Sequence, residues 1–262
     1  EISIVVMTIF DHLGRKLILQ DTPNRIISLV PSQTELLVDL GLQNCLVGIT
    51  KFCVHPKNLR KDKTVIGGTK SVHFDKIKAL RPDVILCNKE ENTRDMVTEL
   101  EKIAPVHVSA VSTIAASLQL IKDYGQLFNV QEKALKLVTC LENERLTFSE
   151  EMQYKKWKRC VYLIWKDPYM AAGQDTFIND LLKLNKFENI IAKDRYPVID
   201  EEQLVEYSPD VVLLSSEPFP FKKDHLKQIE RLGIPAMLVD GEYFSWYGSR
   251  LKKAFDYFRS LN

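Results

Sequence analysis

Short apolar runs alternate with longer amphipathic segments along almost the whole chain, and each change of period marks a change of element. Residues 8–20 read as a hairpin turned at Asp11, His12, Leu13 and Gly14. Residues 26–30 form an apolar run of the kind that a parallel strand buried on both faces requires. Pro31 and Ser32 break it, and a short helix from Thr34 follows, closed by Gly41. Strands at 46–49, 83–87 and 106–108 then alternate with helices at 74–80 and 93–103. Two helices, 114–128 and 131–152, adjoin each other. The second carries Ala134, Val138, Leu141, Phe148 and Met152 on one stripe and would be roughly 30 Å long. Beyond it the alternation restarts, with strands at 160–165, 211–215 and 236–239 and helices at 176–184, 201–207, 223–232 and 249–261. Such alternation predicts right-handed βαβ units and a mostly parallel sheet in each half.

The halves resemble each other. Segment 75–86 parallels 202–213, each running helix, Pro-Asp, apolar strand, with Pro82 and Pro209 offset by 127 residues (209 − 82 = 127). A looser match sets Thr34 and its helix against Thr176 and its helix. The expected architecture is α/β: an amino-terminal Rossmann-like lobe over 1–110, a helical linker over 111–155 and a carboxyl-terminal lobe over 156–262, with a ligand cleft between the lobes.

Composition narrows the function classes. Lys and Arg total 36 against 35 Asp and Glu, a net charge of +1, which gives no support to a nucleic-acid partner. Apolar residues at 45% and charged residues at 27% exclude a disordered chain. No apolar run of about 18 residues is present, so no membrane-spanning helix is expected. The five cysteines are odd in number and contain no C-x-x-C, which argues against a disulfide framework and against a zinc or thioredoxin-type site. Residues Glu1 to Met7 lack the basic region, apolar core and cleavage site of a signal peptide; either a signal was removed, or none existed, or Met7 is an alternative start.

Enzyme signatures are largely missing: no nucleophile elbow, phosphate loop or H-E-x-x-H helix occurs, and Gly67-Gly68-Thr69-Lys70 reads as a tight turn. No catalytic residue and no metal site are assigned. His107, in a strand, reads as structural, whereas His55 and His73 lie in loops at the carboxyl-end side of the first sheet. Aromatic residues gather after the strands: Phe52, Trp165, Tyr169, Tyr196, Phe219, Phe221, Tyr243, Phe244, Trp246 and Tyr247. Open α/β sheets bind ligands at that end, so Phe52, Trp165, Tyr169, Tyr196, Phe219, Tyr243 and Trp246, with His55 and His73, are the candidate ligand-binding residues. They would suit a large, flat or partly apolar ligand. Each ring has packing as its alternative role.

The chain resembles the substrate-binding proteins of ABC importers, in the class with a rigid helical backbone that binds cobalamin, haem or iron–siderophore complexes. The resemblance runs from Asp11 onward: the hairpin 11–15, strand and helix start 25–35, Val47-Gly48-Ile49-Thr50, Ile66-Gly67-Gly68, Leu80-Arg81-Pro82-Asp83-Val84-Ile85, and Gly173-Gln174-Asp175-Thr176-Phe177-Ile178. The loops after Thr50 and Trp165 look most like the cobalamin branch. The resemblance implies a monomeric binding protein without cofactor or catalysis, which carries a corrinoid to the permease subunits of an importer. A ferric siderophore or haem is the alternative cargo, with Tyr169, Tyr196, His55 or His73 as an axial ligand to haem. It also implies one acid on each lobe tip for docking, Asp75 and Glu202, spaced by the same 127 residues as the prolines. Capping of helix N-termini is their other role. The implied location is periplasmic or membrane-anchored and extracytoplasmic. A chelatase-like enzyme using His73 with Glu90 or Glu91, and a cytoplasmic ligand sensor, are the competing classes.

Overall fold

The structure, a computed structural model, describes residues 7–261. Residues 1–6, within the segment that lacks the features of a signal peptide, lie outside them. The chain divides into two compact units. Among the described residues the first comprises 7–110, 116–140 and 247–250, and the second comprises 111–115, 141–246 and 251–261.

In the first unit an antiparallel hairpin, β1 (Met7–Phe10) and β2 (Lys16–Leu19), precedes a five-stranded parallel sheet. Its elements are β3 (Ile26–Ser28), α1 (Pro31–Asp39), β4 (Leu46–Ile49), α2 (Leu59–Asp62), β5 (Thr64–Val65), α3 (Phe74–Ala79), β6 (Val84–Asn88), α4 (Arg94–Glu101) and β7 (Val106–Ser109). The sheet order is β5-β4-β3-β6-β7. Both faces are covered, and Ile27, Leu29, Ile85 and Cys87 are fully buried in one cluster with Leu100 of α4. His107 is buried in β7, where loss of water pushes its imidazole down to about 4, so it stays neutral and structural. α5 (Ile114–Leu127) and α6 (Gln131–Glu151) follow.

In the second unit β8 (Lys158–Trp165), β9 (Tyr169–Ala171), α7 (Phe177–Leu184), β10 (Phe187–Asn189), β11 (Val198–Ile199), α8 (Glu201–Tyr207), β12 (Val211–Ser215), α9 (Lys223–Glu230), β13 (Ala236–Val239), α10 (Gly241–Ser245) and α11 (Leu251–Leu261) build a six-stranded sheet. Strands β10, β8, β12 and β13 are mutually parallel, while β9 pairs antiparallel with β8, and β11 at the edge pairs antiparallel with β9. Phe148 of α6 packs on Phe255 and Phe258 of α11 at centroid distances of 5.9 and 6.0 Å. All five apolar residues of the predicted α6 stripe are buried.

The 127-residue repeat has a structural cause. Asp83 accepts the Asn24 and Arg25 amides, and the Arg25 guanidinium donates to the Leu80 and Arg81 carbonyls behind α3. Asp210 likewise accepts the Arg159 amide, and Arg159 donates to the Tyr207 and Ser208 carbonyls behind α8. Arg81 and Ser208 both take left-handed backbone, at φ 44° and 45°. In each unit, therefore, an arginine at the start of the central strand satisfies carbonyls that a helix end leaves unpaired, and the Pro-Asp step locks helix to strand. α8 also opens on a capping box, with Asp200 accepting the Gln203 amide at 2.8 Å. Asp200→Ala is expected to lower stability by about 1 kcal/mol, measured by urea denaturation.

Two details depart from the sequence reading. Helix α1 starts at Pro31 and not near Thr34, because proline at the first helical position is pre-organised and needs no amide partner. Thr34 therefore sits inside the helix, donating to the Ser28 hydroxyl and the Val30 carbonyl, whereas Thr176 is a true N-cap accepting the Asn179 amide. The mixed edge of the second sheet was also absent from the alternation pattern.

Candidate functional site

The carboxyl ends of the strands in each unit carry the candidate residues. In the first unit β3, β6 and β7 end in Ser28, Asn88 and Ser109, all buried and polar. Gln33 of α1 donates to the Ser109 hydroxyl, and to the Tyr247 hydroxyl at 2.9 Å. Asn88 donates to the same two oxygens at 3.0 and 2.8 Å. Tyr124 of α5 donates to the Gln33 side-chain carbonyl at 2.6 Å. Burial pushes the Tyr247 hydroxyl above its ordinary value, and Tyr124 likewise, so both remain neutral. This network ties the strand ends to α1, α5 and the segment carrying Tyr247. Beside it, Arg250 donates from Nε to Glu35 at 2.8 Å, both being almost fully buried.

Around this rigid floor lie the looser candidates of the first unit. Phe52 is 48% exposed, and the Lys51 ammonium sits 5.0 Å from its ring centre. His55 is half-buried. His73 is exposed at the N-cap position of α3, where its side chain makes no cap bond. Asp75 follows in the first turn, also exposed. Among the described residues no group of three or more His, Cys, Asp and Glu side chains is arranged to hold a metal ion.

In the second unit the rings gather at the ends of β8, β12 and β13. Trp165 is the last residue of β8 and is 40% exposed, with its ring edge-on to Phe219 at 5.7 Å. Phe219 in turn packs on Phe221 at 4.8 Å. Tyr243, in α10, stacks on Tyr257 of α11 at 4.8 Å. Trp246 donates its indole N–H to Glu217 at 2.9 Å, and Ser245 donates to the same oxygen. Burial raises the Glu217 carboxyl; these two bonds oppose the shift, and the Glu242 charge adds to it.

The structure thus brings Trp165 and Phe219 together and fixes Trp246 through Glu217, a residue absent from the sequence-based candidates. Tyr169 lies in β9 and belongs to the hydrophobic core, where burial raises its hydroxyl. Tyr196 is half-buried in the loop before β11. That loop passes over Gly173, whose amide donates to the Arg195 carbonyl at 2.7 Å. A Cβ at 173 would run into the Lys193 carbonyl oxygen, which explains the glycine of the Gly173–Ile178 motif. Glu202 is exposed in the first turn of α8.

A model of a periplasmic binding protein family matches residues 26–237. The chain is 26% identical over 216 residues to YvrC of Bacillus subtilis, an uncharacterized ABC transporter substrate-binding lipoprotein, covering 79% of this chain and 68% of that one. It is 24% identical over 237 residues to the vitamin B12-binding protein of Pectobacterium carotovorum, covering 87% and 84%. A solved structure from Staphylococcus epidermidis, described as a possible iron-binding periplasmic solute-binding protein, matches with a TM-score of 0.78 at 22% identity, over 92% of this chain and 98% of that one. This last likeness is one of fold.

Proposed function

The chain belongs to the periplasmic binding protein family, and from that premise we propose that it is the extracytoplasmic substrate-binding component of an ABC importer whose cargo is a corrinoid of the cobalamin type. The observation that carries the reading is the set of rings at the strand ends of the second unit. Trp165 leans on Phe219 with 40% of its surface open, presenting flat apolar surface, while the buried Trp246 is fixed by Glu217. Phe52 offers a further exposed ring in the first unit. The vitamin B12-binding relative supports the corrinoid over other cargo of this class.

The test is calorimetric and absorbance titration of the purified protein with cobalamin, hemin and a ferric siderophore. Micromolar or tighter binding of cobalamin alone is the expected result. Tight binding of another of the three, with none of cobalamin, overturns the cargo assignment. The solved relative described as possibly iron-binding keeps the ferric complex as the second reading.

The family relatives named above are substrate-binding proteins, and the proposed role is capture without catalysis. A chelatase reading would require His73 to work with Glu90 or Glu91. Metal insertion into a porphyrin by the wild-type protein, lost in His73→Ala, would restore that reading.

The proposed partner is the importer's permease, met by Asp75 and Glu202. Both acids are exposed in the first turn of their helices. Asp75→Lys with Glu202→Lys is expected to slow cargo uptake in cells several-fold while the cargo Kd and the urea midpoint stay unchanged. A matching loss of binding would assign these acids to the ligand site instead.

A further inference from the structure

The net charge of the chain is near zero, yet its charges are not evenly spread. Residues 152–160 hold Lys155, Lys156, Lys158 and Arg159 and no acid. The same stretch carries two aromatic residues in water: Tyr154 is 87% and Trp157 is 53% exposed. A folded chain buries rings of this size when it can, so two exposed side by side among lysines need a reason.

The structure adds a second basic segment to the first. The Lys158 amide donates to the Lys186 carbonyl at 3.0 Å, which brings the end of the α7–β10 turn alongside the start of β8. The Lys186 ammonium lies 5.0 Å from the centre of the Trp157 ring, and Lys183 is exposed one turn earlier. Arg159 is engaged elsewhere, at the α8 carbonyls. Glu188, exposed on β10 opposite Arg159, is the acid nearest in the strand register. Two adjoining segments thus supply five lysines and two amphipathic rings, of which Trp157 and Lys186 touch.

We propose that this patch binds the surface of a bilayer containing anionic lipid. Tyr and Trp favour the headgroup level, where the ring body is withdrawn from water and the polar tip stays wet. Lysine ammonium groups are drawn to anionic headgroups within a Debye length. The patch is short, a turn and a strand start, with no extended basic track of the kind that follows a nucleic-acid backbone. It also sits at the amino end of β8, about 23 Å along the strand from Trp165 at the carboxyl end. A molecule held to lipid through this patch keeps the ring-bearing loops of this unit directed away from the bilayer. It is then a resting, cargo-accessible state, separate from docking on the permease. The inference does not depend on which cargo binds.

The test is flotation of the full chain with vesicles of phosphatidylcholine alone, and with one-third phosphatidylglycerol, at low and high salt. Binding to the anionic vesicles that salt abolishes is the expected result. Lys155→Gln with Lys156→Gln should weaken it about fivefold per lysine removed. Trp157→Ala should weaken it roughly tenfold, with far-UV circular dichroism and cargo affinity unchanged in both variants. Because the Lys186 ammonium lies over the Trp157 ring, Trp157→Ala also removes a contact within the fold, and the lysine pair provides the second arm. Equal binding to both vesicle types, or binding indifferent to the lysine pair, overturns the proposal. Tighter association with a single-stranded oligonucleotide than with anionic vesicles overturns it in favour of a nucleic-acid surface.

Discussion

Arg250→Ala is expected to destabilise the protein by about 3–5 kcal/mol, read as a lowered urea midpoint with an unchanged slope. The Arg250 guanidinium and the Glu35 carboxylate are 4% and 6% exposed and share a 2.8 Å hydrogen bond. Taking the arginine away leaves a carboxylate stranded in low dielectric, and breaking a buried pair from one side costs about that much. Burial pushes the Glu35 carboxyl above its ordinary value, and the Arg250 charge and bond hold it back. In the variant that restraint is gone, so the folded-state value rises further above the unfolded one. A raised carboxyl favours folding only while it is protonated. The deficit against the parent should therefore be smallest in acid and should grow as pH climbs through and beyond the carboxylate range. Replacing both partners by methionine should cost less than replacing Arg250 alone, because no charge is then left without a counterion. A flat pH profile in Arg250→Ala would show that Glu35 finds water in the variant.

How far the sequence foretold this arrangement depends on the distance over which each feature is encoded. The Pro-Asp repeat was legible because the same short sequence recurs at both helix–strand junctions, although Asp83 and Asp210 accept from the Arg25 and Arg159 amides 58 and 51 residues earlier. The α6 stripe was legible because a helical period persists over 21 residues. Strands β9 and β11 were not legible: three and two residues carry no period, and they pair with each other across the intervening α7 and β10. The polar network under the first sheet was invisible for a different reason. Gln33 and Tyr247 are 214 residues apart, and nothing local to either announces the other. Tyr247 stood among the rings noted after the last strand, but as a member of a binding surface, whereas the fold uses its hydroxyl as a buried tie. Glu217 was hidden in the same way, since its role follows from where Trp246 arrives and not from its neighbours in sequence.

Trp165→Ala should separate binding from stability most cleanly. The ring ends β8 with 40% of its surface open and leans edge-on against Phe219. Truncating it removes little core contact, so the urea midpoint should move by no more than about 0.5 kcal/mol. If the ring lies against a flat cargo, its loss should weaken binding by about 2 kcal/mol, some thirtyfold in Kd, since buried aromatic anchors dominate binding energy. Trp246 makes the contrast. Its indole is 8% exposed and donates to Glu217, so Trp246→Ala strips a raised, partly buried carboxyl of one of its donors and should lower stability as well as affinity. Trp246→Phe keeps an aromatic side chain but removes that bond and part of the buried indole. With Trp165→Ala it distinguishes a ring that touches cargo from one that is merely positioned: a cargo-contacting Trp165 loses affinity at constant stability, whereas equal affinity in Trp165→Ala and the parent would place the binding surface elsewhere on the molecule.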